Sequence, residues 1–228
     1  MHLLLIRHGQ TPSNVAGMLD TANPGPDLTE LGNRQAARIP QALESRPIDG
    51  IFVSTLVRTH VTAAPLALAR GIEPVVRPGL HEIEAGALES LSDPDSVRSY
   101  MQTAFAWGSG RLDTRMPGGT DGHAFFERFD ADITAIESRI GTGTAVVVSH
   151  GAASRVWSAG RAANVPPAFA GQHELDNTGV VELRGSPREG WTLVSWQGTP
   201  VGGVELADAD GEGPTGEALG HHHRVDDA

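Results

Sequence analysis

Two short runs of this chain are apolar at every position: Leu3-Leu4-Leu5-Ile6, and Ala145-Val146-Val147-Val148 much further along. A strand with one face in water alternates apolar and polar residues. A strand without that alternation has to be covered on both faces, as in a parallel sheet packed between helices. Strand-like runs also occur at 51–54, 73–77, 179–183 and 191–196. Helical patterns lie between them, from Thr29 to about Leu43, Leu56 to Ala69, Asp93 to Trp107, Asp121 to Ile140 and Ala152 to Ala163. This alternation predicts an α/β fold: a three-layer sandwich whose mostly parallel central sheet is flanked by helices on both faces. Only the turn-rich Arg184–Gly190 separates the last two strands, so they are expected to pair as an antiparallel hairpin.

The 228 residues suit one domain. It is expected to span residues 1–197. From about Gly198 the chain turns Gly-rich and acidic without periodicity, so 198–228 is expected to be a disordered tail. That tail holds seven acidic residues against the single Arg224, and its His221-His222-His223 triplet is assigned no function. The net charge of −11, with no lysine among the basic residues, excludes the basic face of a nucleic-acid binder. No apolar run approaches a membrane span, and the first is too short for a signal peptide. Without cysteine there is no disulfide, thiolate nucleophile or Cys-based metal site. The expectation is a cytoplasmic protein, monomer or homodimer, with neither membrane nor nucleic acid as partner.

Both apolar runs end in chemistry. The first continues into Arg7-His8-Gly9 and the second into Ser149-His150-Gly151, at the carboxyl ends of strands, where open α/β sheets place their ligand sites. One such histidine alone would read as structural; two in the same context point to a site. The glycine after each permits close backbone approach, and the following helix start offers N–H groups to an anion. Arg58 falls in the first turn of the helix after the third run, a position that alone suits a solvated arginine. Glu82 and Glu84 lie in a short segment between a strand and a helix. Arginine forks match phosphate oxygens, neutral imidazole is a competent nucleophile, and a carboxylic acid can protonate a leaving alkoxide.

The stretch Leu5-Ile-Arg-His-Gly-Gln-Thr-Pro-Ser-Asn14 resembles the signature of the histidine phosphatase superfamily, also called the phosphoglycerate mutase-like family. The resemblance continues in order through 28–36, 54–63, 80–89, Pro117-Gly-Gly119 and 147–155, and so covers about 3 to 197. It implies that His8 is the nucleophile and becomes phosphohistidine, while Arg7, Arg58 and His150 hold the phosphoryl group. It further implies Glu82 as proton donor, with Glu84 the lesser candidate, and Thr11, Asn14 and Gly151 as phosphate-pocket residues. The substrate would be a small phosphomonoester, with no cofactor and no metal.

Several positions depart from the mutase branch. Residues 90–116 contain no lysine and only the scattered Arg98, Arg111 and Arg115. Ser90 stands where glycine is usual, and Thr120-Asp121 where Glu-Ser is common. These differences favour a phosphatase over phosphoglycerate mutase-type transfer, and retention of the whole set argues against an inactive phospho-ligand binding protein. Tyr100, Met101, Phe105 and Trp107 suit either an apolar substrate wall or a helix packed on the core.

Overall fold

In the computed structural model, residues 1–207 and 213–217 are described. The strands are β1 (His2–Arg7), β2 (Gly50–Val53), β3 (Val75–Val76), β4 (Thr144–Ser149), β5 (Val180–Ser186) and β6 (Gly190–Gln197). They form one sheet in the order β3-β2-β4-β1-β5-β6. β1, β2, β3 and β4 run parallel, whereas β5 is antiparallel to β1 and β6 to β5, as the hairpin reading anticipated.

The helices are α1 (Pro12–Val15), α2 (Glu30–Ala42), α3 (Val57–Arg70), α4 (Pro94–Gly108), α5 (Gly122–Ile140), α6 (Gly151–Arg161) and α7 (Phe169–Gln172). The five long ones fall where the periodicity predicts them. Three start at residues whose side-chain oxygens accept the first free N–H groups: Thr29 from Gly32 N, Asp93 from Ser96 N and Asp121 from Ala124 N. The one-turn α1 and α7 are too short to leave a periodic signal and were not anticipated.

The unbroken apolar strands are buried on both sides, and their alternation splits the core in two. Leu3, Leu5, Ala145 and Val147 pack with residues of α4, α5 and α6, among them Tyr100, Phe125 and Trp157. Leu4, Ile6, Val146 and Val148 face the other way, against Ile39 of α2 and Ala63 and Leu66 of α3. Leu3 to Ile6 are all at most 1% exposed, and burying each contributes about 1.5–3 kcal/mol.

Tyr100, Met101, Phe105 and Trp107 are all buried in the α4 side of the core, which decides between the two readings left open for them. The expectation of a disordered tail does not hold for its described part. Val201 joins the second core cluster, Leu206 O accepts a hydrogen bond from Gln35 Nε2 at 2.8 Å, and Gly213–Gly216 are buried. Residues 208–212 and 218–228, with the His221–His223 triplet, lie outside the described residues. No helix among the described residues is long and apolar enough to cross a membrane.

Ser90, the residue found where glycine is usual, sits at φ 65°. A side chain in this left-handed region costs about 1–2 kcal/mol, against about 0.5–1 for glycine's extra freedom in the unfolded chain. Ser90 is exposed, so little contact is lost on substitution. Ser90→Gly should therefore raise the free energy of unfolding in urea by roughly 0.5–1 kcal/mol. A measured decrease would mean that the Ser90 side chain contributes a contact.

Candidate active site

The parallel pairing of β1 with β4 sets Arg7 opposite Ser149. The next residue on each strand is a histidine, so His8 and His150 come together, ring centroids 5.3 Å apart and planes at 62°. His8 N donates to Ser149 O at 3.0 Å and Arg7 Nη1 to Leu175 O at 2.7 Å. Arg7 and His150 are fully buried, and His8 is 3% exposed.

The loop after β1 is fastened to its surroundings. Gly9 N donates to Thr62 Oγ1 (2.9 Å), Gln10 N to Gln35 Oε1 (2.8 Å) and Thr11 N to Asn14 Oδ1 (3.0 Å). Thr11 and Asn14 cap α1 reciprocally, each side chain accepting from the other's backbone N–H. α2 approaches so closely that a Cβ at Gly9 would stand 2.7 Å from Gly32 O. Asn177 Nδ2 donates to His8 O at 2.9 Å and to Asn14 Oδ1 at 3.3 Å. Since the N–H groups of 8–11 are all engaged, an anion here must be met by side chains.

His8 Nδ1 lies 2.8 Å from Gly9 O. A carbonyl can only accept, so Nδ1 carries the proton and Nε2 keeps its lone pair. Burial, then the charges of Arg58 and Arg7, hold the His8 pKa well below its ordinary 6.5. Burial and Arg58 push His150 the same way. His150 Nε2 is 2.8 Å from Ser54 Oγ, while its Nδ1 is buried with no hydrogen-bond partner.

Arg58 is 3% exposed at the start of α3. Its Nη2 donates to Asp20 O at 2.8 Å, and Nη1 stands 3.7 Å from Asp20 Oδ1. Nε and Nη1 are buried with no hydrogen bond. Donors of a buried cation are rarely left unused; here they lie beside a cavity of about 10 Å³ that also touches His8, Thr11, Asn14, Asp20 and Glu82.

Glu82 is 2% exposed. Its Oε1 accepts from Ile83 N and Ala153 N, both at 2.8 Å, and Oε2 from Ala152 N at 3.2 Å. The carboxyl therefore fills the anion position at the start of α6, which the sequence reading had offered to a ligand. These amides and Arg58 favour the anion, but burial outweighs them and the pKa is raised. Glu84 is half exposed and pairs with His81 at 3.1 Å, away from the cavity.

Of the anticipated residues, His8, Thr11, Asn14, Arg58 and Glu82 border the cavity. Arg7 and His150 are buried in the wall behind. Gly151 does not border it: a Cβ there would stand 2.6 Å from Thr215 O and 2.7 Å from Thr215 Oγ1. The close approach that its glycine permits is thus made by the chain's own tail.

Sequence reasoning missed four contributors. Asp20 joins Arg58 to Ser13, whose Oγ donates to Asp20 Oδ2 at 2.6 Å. Asn177 ties the His8 carbonyl to Asn14. Arg128 of α5 donates to the carbonyls of Gly79, His81 and Glu82 at 2.6, 2.9 and 2.8 Å, and so holds the acid segment from beneath. Arg155 of α6 donates to carbonyls of the tail and of α7. The family-like stretch 147–155 contains Arg155, but nothing local announced its partners. A larger groove of about 790 Å³ lies along α4, bordered by Arg98 and Arg111; it reaches none of the residues around His8. Among the described residues no group of three or more His, Cys, Asp or Glu side chains could hold a metal ion.

The model of the histidine phosphatase superfamily (branch 1) matches residues 3–199. PE-PGRS family protein PE_PGRS11 of Mycobacterium tuberculosis is 41% identical over 219 residues, 90% of this chain; the chain spans 38% of that protein's length. Phosphoserine phosphatase 1 of Hydrogenobacter thermophilus is 28% identical over 152 residues, 65% of this chain and 70% of its own. A mycobacterial glucosyl-3-phosphoglycerate phosphatase solved with VO3 superposes with a TM-score of 0.73 at 24% identity, covering 87% of this chain and 99% of that one. With the paired strand-end histidines, the buried arginines and a family match along nearly the whole described chain, this protein belongs to the histidine phosphatase superfamily, branch 1.

Proposed function

We propose that the protein is a phosphomonoesterase that hydrolyses a small phosphorylated metabolite through a phosphohistidine on His8. The observation that carries this reading is the His8 tautomer: the bond from Nδ1 to Gly9 O leaves Nε2 as a free lone pair in a cavity shared with Arg58 and Glu82. In the first step Nε2 attacks phosphorus, the ester P–O bond breaks, and Glu82 gives its proton to the departing alkoxide. Oε2, which holds a single long amide bond, is the oxygen suited to carry that proton. Water then attacks the phosphohistidine, Glu82 takes the water's proton, the P–N bond breaks and phosphate leaves. Arg7, Arg58 and His150 bear the phosphoryl charge through both steps. Thr11 and Asn14 shape the pocket.

Phosphatase rather than mutase chemistry is supported by the placement of charge. Arg98 and Arg111 border the outer groove and Arg115 pairs with Asp121 at 3.0 Å, so none of the arginines of 90–116 borders the His8 cavity. Relatives named as phosphatases for phosphoserine and α-ribazole support the same reading. Cytoplasmic location and a monomeric or dimeric state complete the proposal.

Replacing His8 by alanine should lower kcat by about 10³-fold or more while leaving the far-UV circular dichroism unchanged, because among the described residues no other imidazole borders the cavity. Activity near the wild-type level in H8A would rule out the covalent step. Turnover should persist in excess EDTA and be inhibited by vanadate; loss in EDTA with rescue by magnesium would show that a cation supplies charge assigned here to arginine.

The pKa directions set the pH profile. His8 must be neutral to attack, and its pKa is depressed, so activity survives acidification until pH falls well below 6.5. Glu82 must be protonated to donate, and its pKa is raised, so the acid persists above pH 4.5 and is lost as pH climbs further. The kcat/KM of an alkyl phosphate should therefore peak on the acid side of neutrality. Glu82→Gln should slow alkyl phosphates by about 10²–10⁴-fold and flatten the alkaline limb. p-Nitrophenyl phosphate, whose phenolate leaves largely without a proton, should be slowed far less. Equal losses on both substrates would remove Glu82 from the acid role.

A further inference from the structure

The cavity at His8 has a roof made by the tail. Pro214 and Thr215 border it opposite His8, Arg58 and Glu82. With them in place it measures about 10 Å³, scarcely the room of one water, and far less than a phosphoryl group needs.

This segment is held at several points. Arg155 Nη1 donates to Thr215 O at 2.9 Å and to Glu217 O at 2.8 Å. The other edge of the guanidinium, Nε and Nη2, meets Ala170 O at 3.1 and 2.8 Å. Its face lies 4.5 Å from the centre of the Phe105 ring. Leu175 N donates to Gly216 O at 3.0 Å, and Gly216 N closes a turn on Gly213 O at 3.1 Å. Gly213, at φ 71°, passes so near α1 that a Cβ there would stand 2.9 Å from Asn14 Cα. On the other side Thr215 lies against the bare backbone of Gly151. The tail thus occupies the close-approach space at the His150-Gly151 corner and packs against Asn14 of α1, beside the cavity that a phosphate ester would use.

We propose that Gly213–Glu217 is a strap that competes with substrate for the His8 cavity, with Arg155 as its clasp. This rests on reading the cavity as a phosphate site. The strap must withdraw before a phosphoryl group reaches His8 Nε2, so apparent affinity equals the intrinsic affinity scaled by the fraction of open molecules. The contacts favour this kind of motion. Several of them are hydrogen bonds to strap carbonyls, which water can replace, and Gly213–Glu217 contributes no large apolar side chain to the core.

The test measures binding of inorganic phosphate by calorimetry, which needs no turnover. A chain ending at Ala207 is expected to bind phosphate at least threefold more tightly than the full chain. Equal or weaker binding by the short chain would overturn the strap while leaving the phosphate site standing; no binding by either chain would overturn the site itself. A second measurement keeps the whole chain. Because the sequence has no cysteine, Thr215→Cys creates one thiol whose reaction with a neutral maleimide reports strap opening. Saturating phosphate should speed that reaction at least threefold. A slower or unchanged rate with phosphate bound would mean that the strap closes over its ligand instead of yielding to it. Arg155→Lys in the same background cannot span the two strap carbonyls and Ala170 O. It should speed labelling without phosphate, and an unchanged rate would remove Arg155 as the clasp.

Discussion

The site depends on the register of β1 against β4. Because the two strands run parallel with Arg7 opposite Ser149, the residues leaving the sheet at the same level are His8 and His150. A slip of one residue would move each histidine relative to its partner and also turn every leucine of β1 to the wrong face. Close packing of a different core cluster on each face disfavours that slip. Burial of the strands is therefore also what sets the distance between the two imidazoles.

A second constraint follows from the first. Placing the strand ends under helices buries Arg7 together with two histidines, and Arg58 of α3 is buried beside them. Burial lowers the pKa of Arg58 against the pull of Asp20 and Glu82. Burial, and after it the charge of Arg58, holds both imidazoles well below their ordinary pKa. A phosphate dianion would relieve the repulsion among these groups. In the proposed reaction that positive charge would favour a phosphoryl ligand, and it adds to burial in keeping His8 unprotonated.

What was legible in the sequence is what local pattern encodes. The six strands, the five long helices and the strand-end motifs all announce themselves through unbroken apolar runs, helical periodicity or capping residues such as Thr29, Asp93 and Asp121. Arg128 and Arg155 were not legible because their partners are backbone carbonyls distant in the chain, and any residue can supply a carbonyl. Asn177 is likewise defined by what it reaches, the His8 carbonyl 169 positions away. The tail misled for the same reason. Gly213–Glu217 lacks the apolar side chains that signal burial, yet it is held by donation from Arg155 to its main chain. Its composition describes side chains, whereas its fastening is backbone.

Glu82 shows how opposing terms can serve one proposed cycle. Burial favours the neutral acid, which the first step requires at the departing oxygen. The amides of Ala152 and Ala153, at the positive end of α6, favour the carboxylate. The net effect is a raised pKa with three amide bonds still made. Once the proton has gone to the leaving group, the carboxylate finds its donors already in place. No side chain has to turn and no water has to enter to stabilise it. That anion is the base needed when water attacks the phosphohistidine. The helix cap, which opposes holding the proton before the first step, thus stabilises the product of donation and poises the carboxylate for the second step of the proposed cycle.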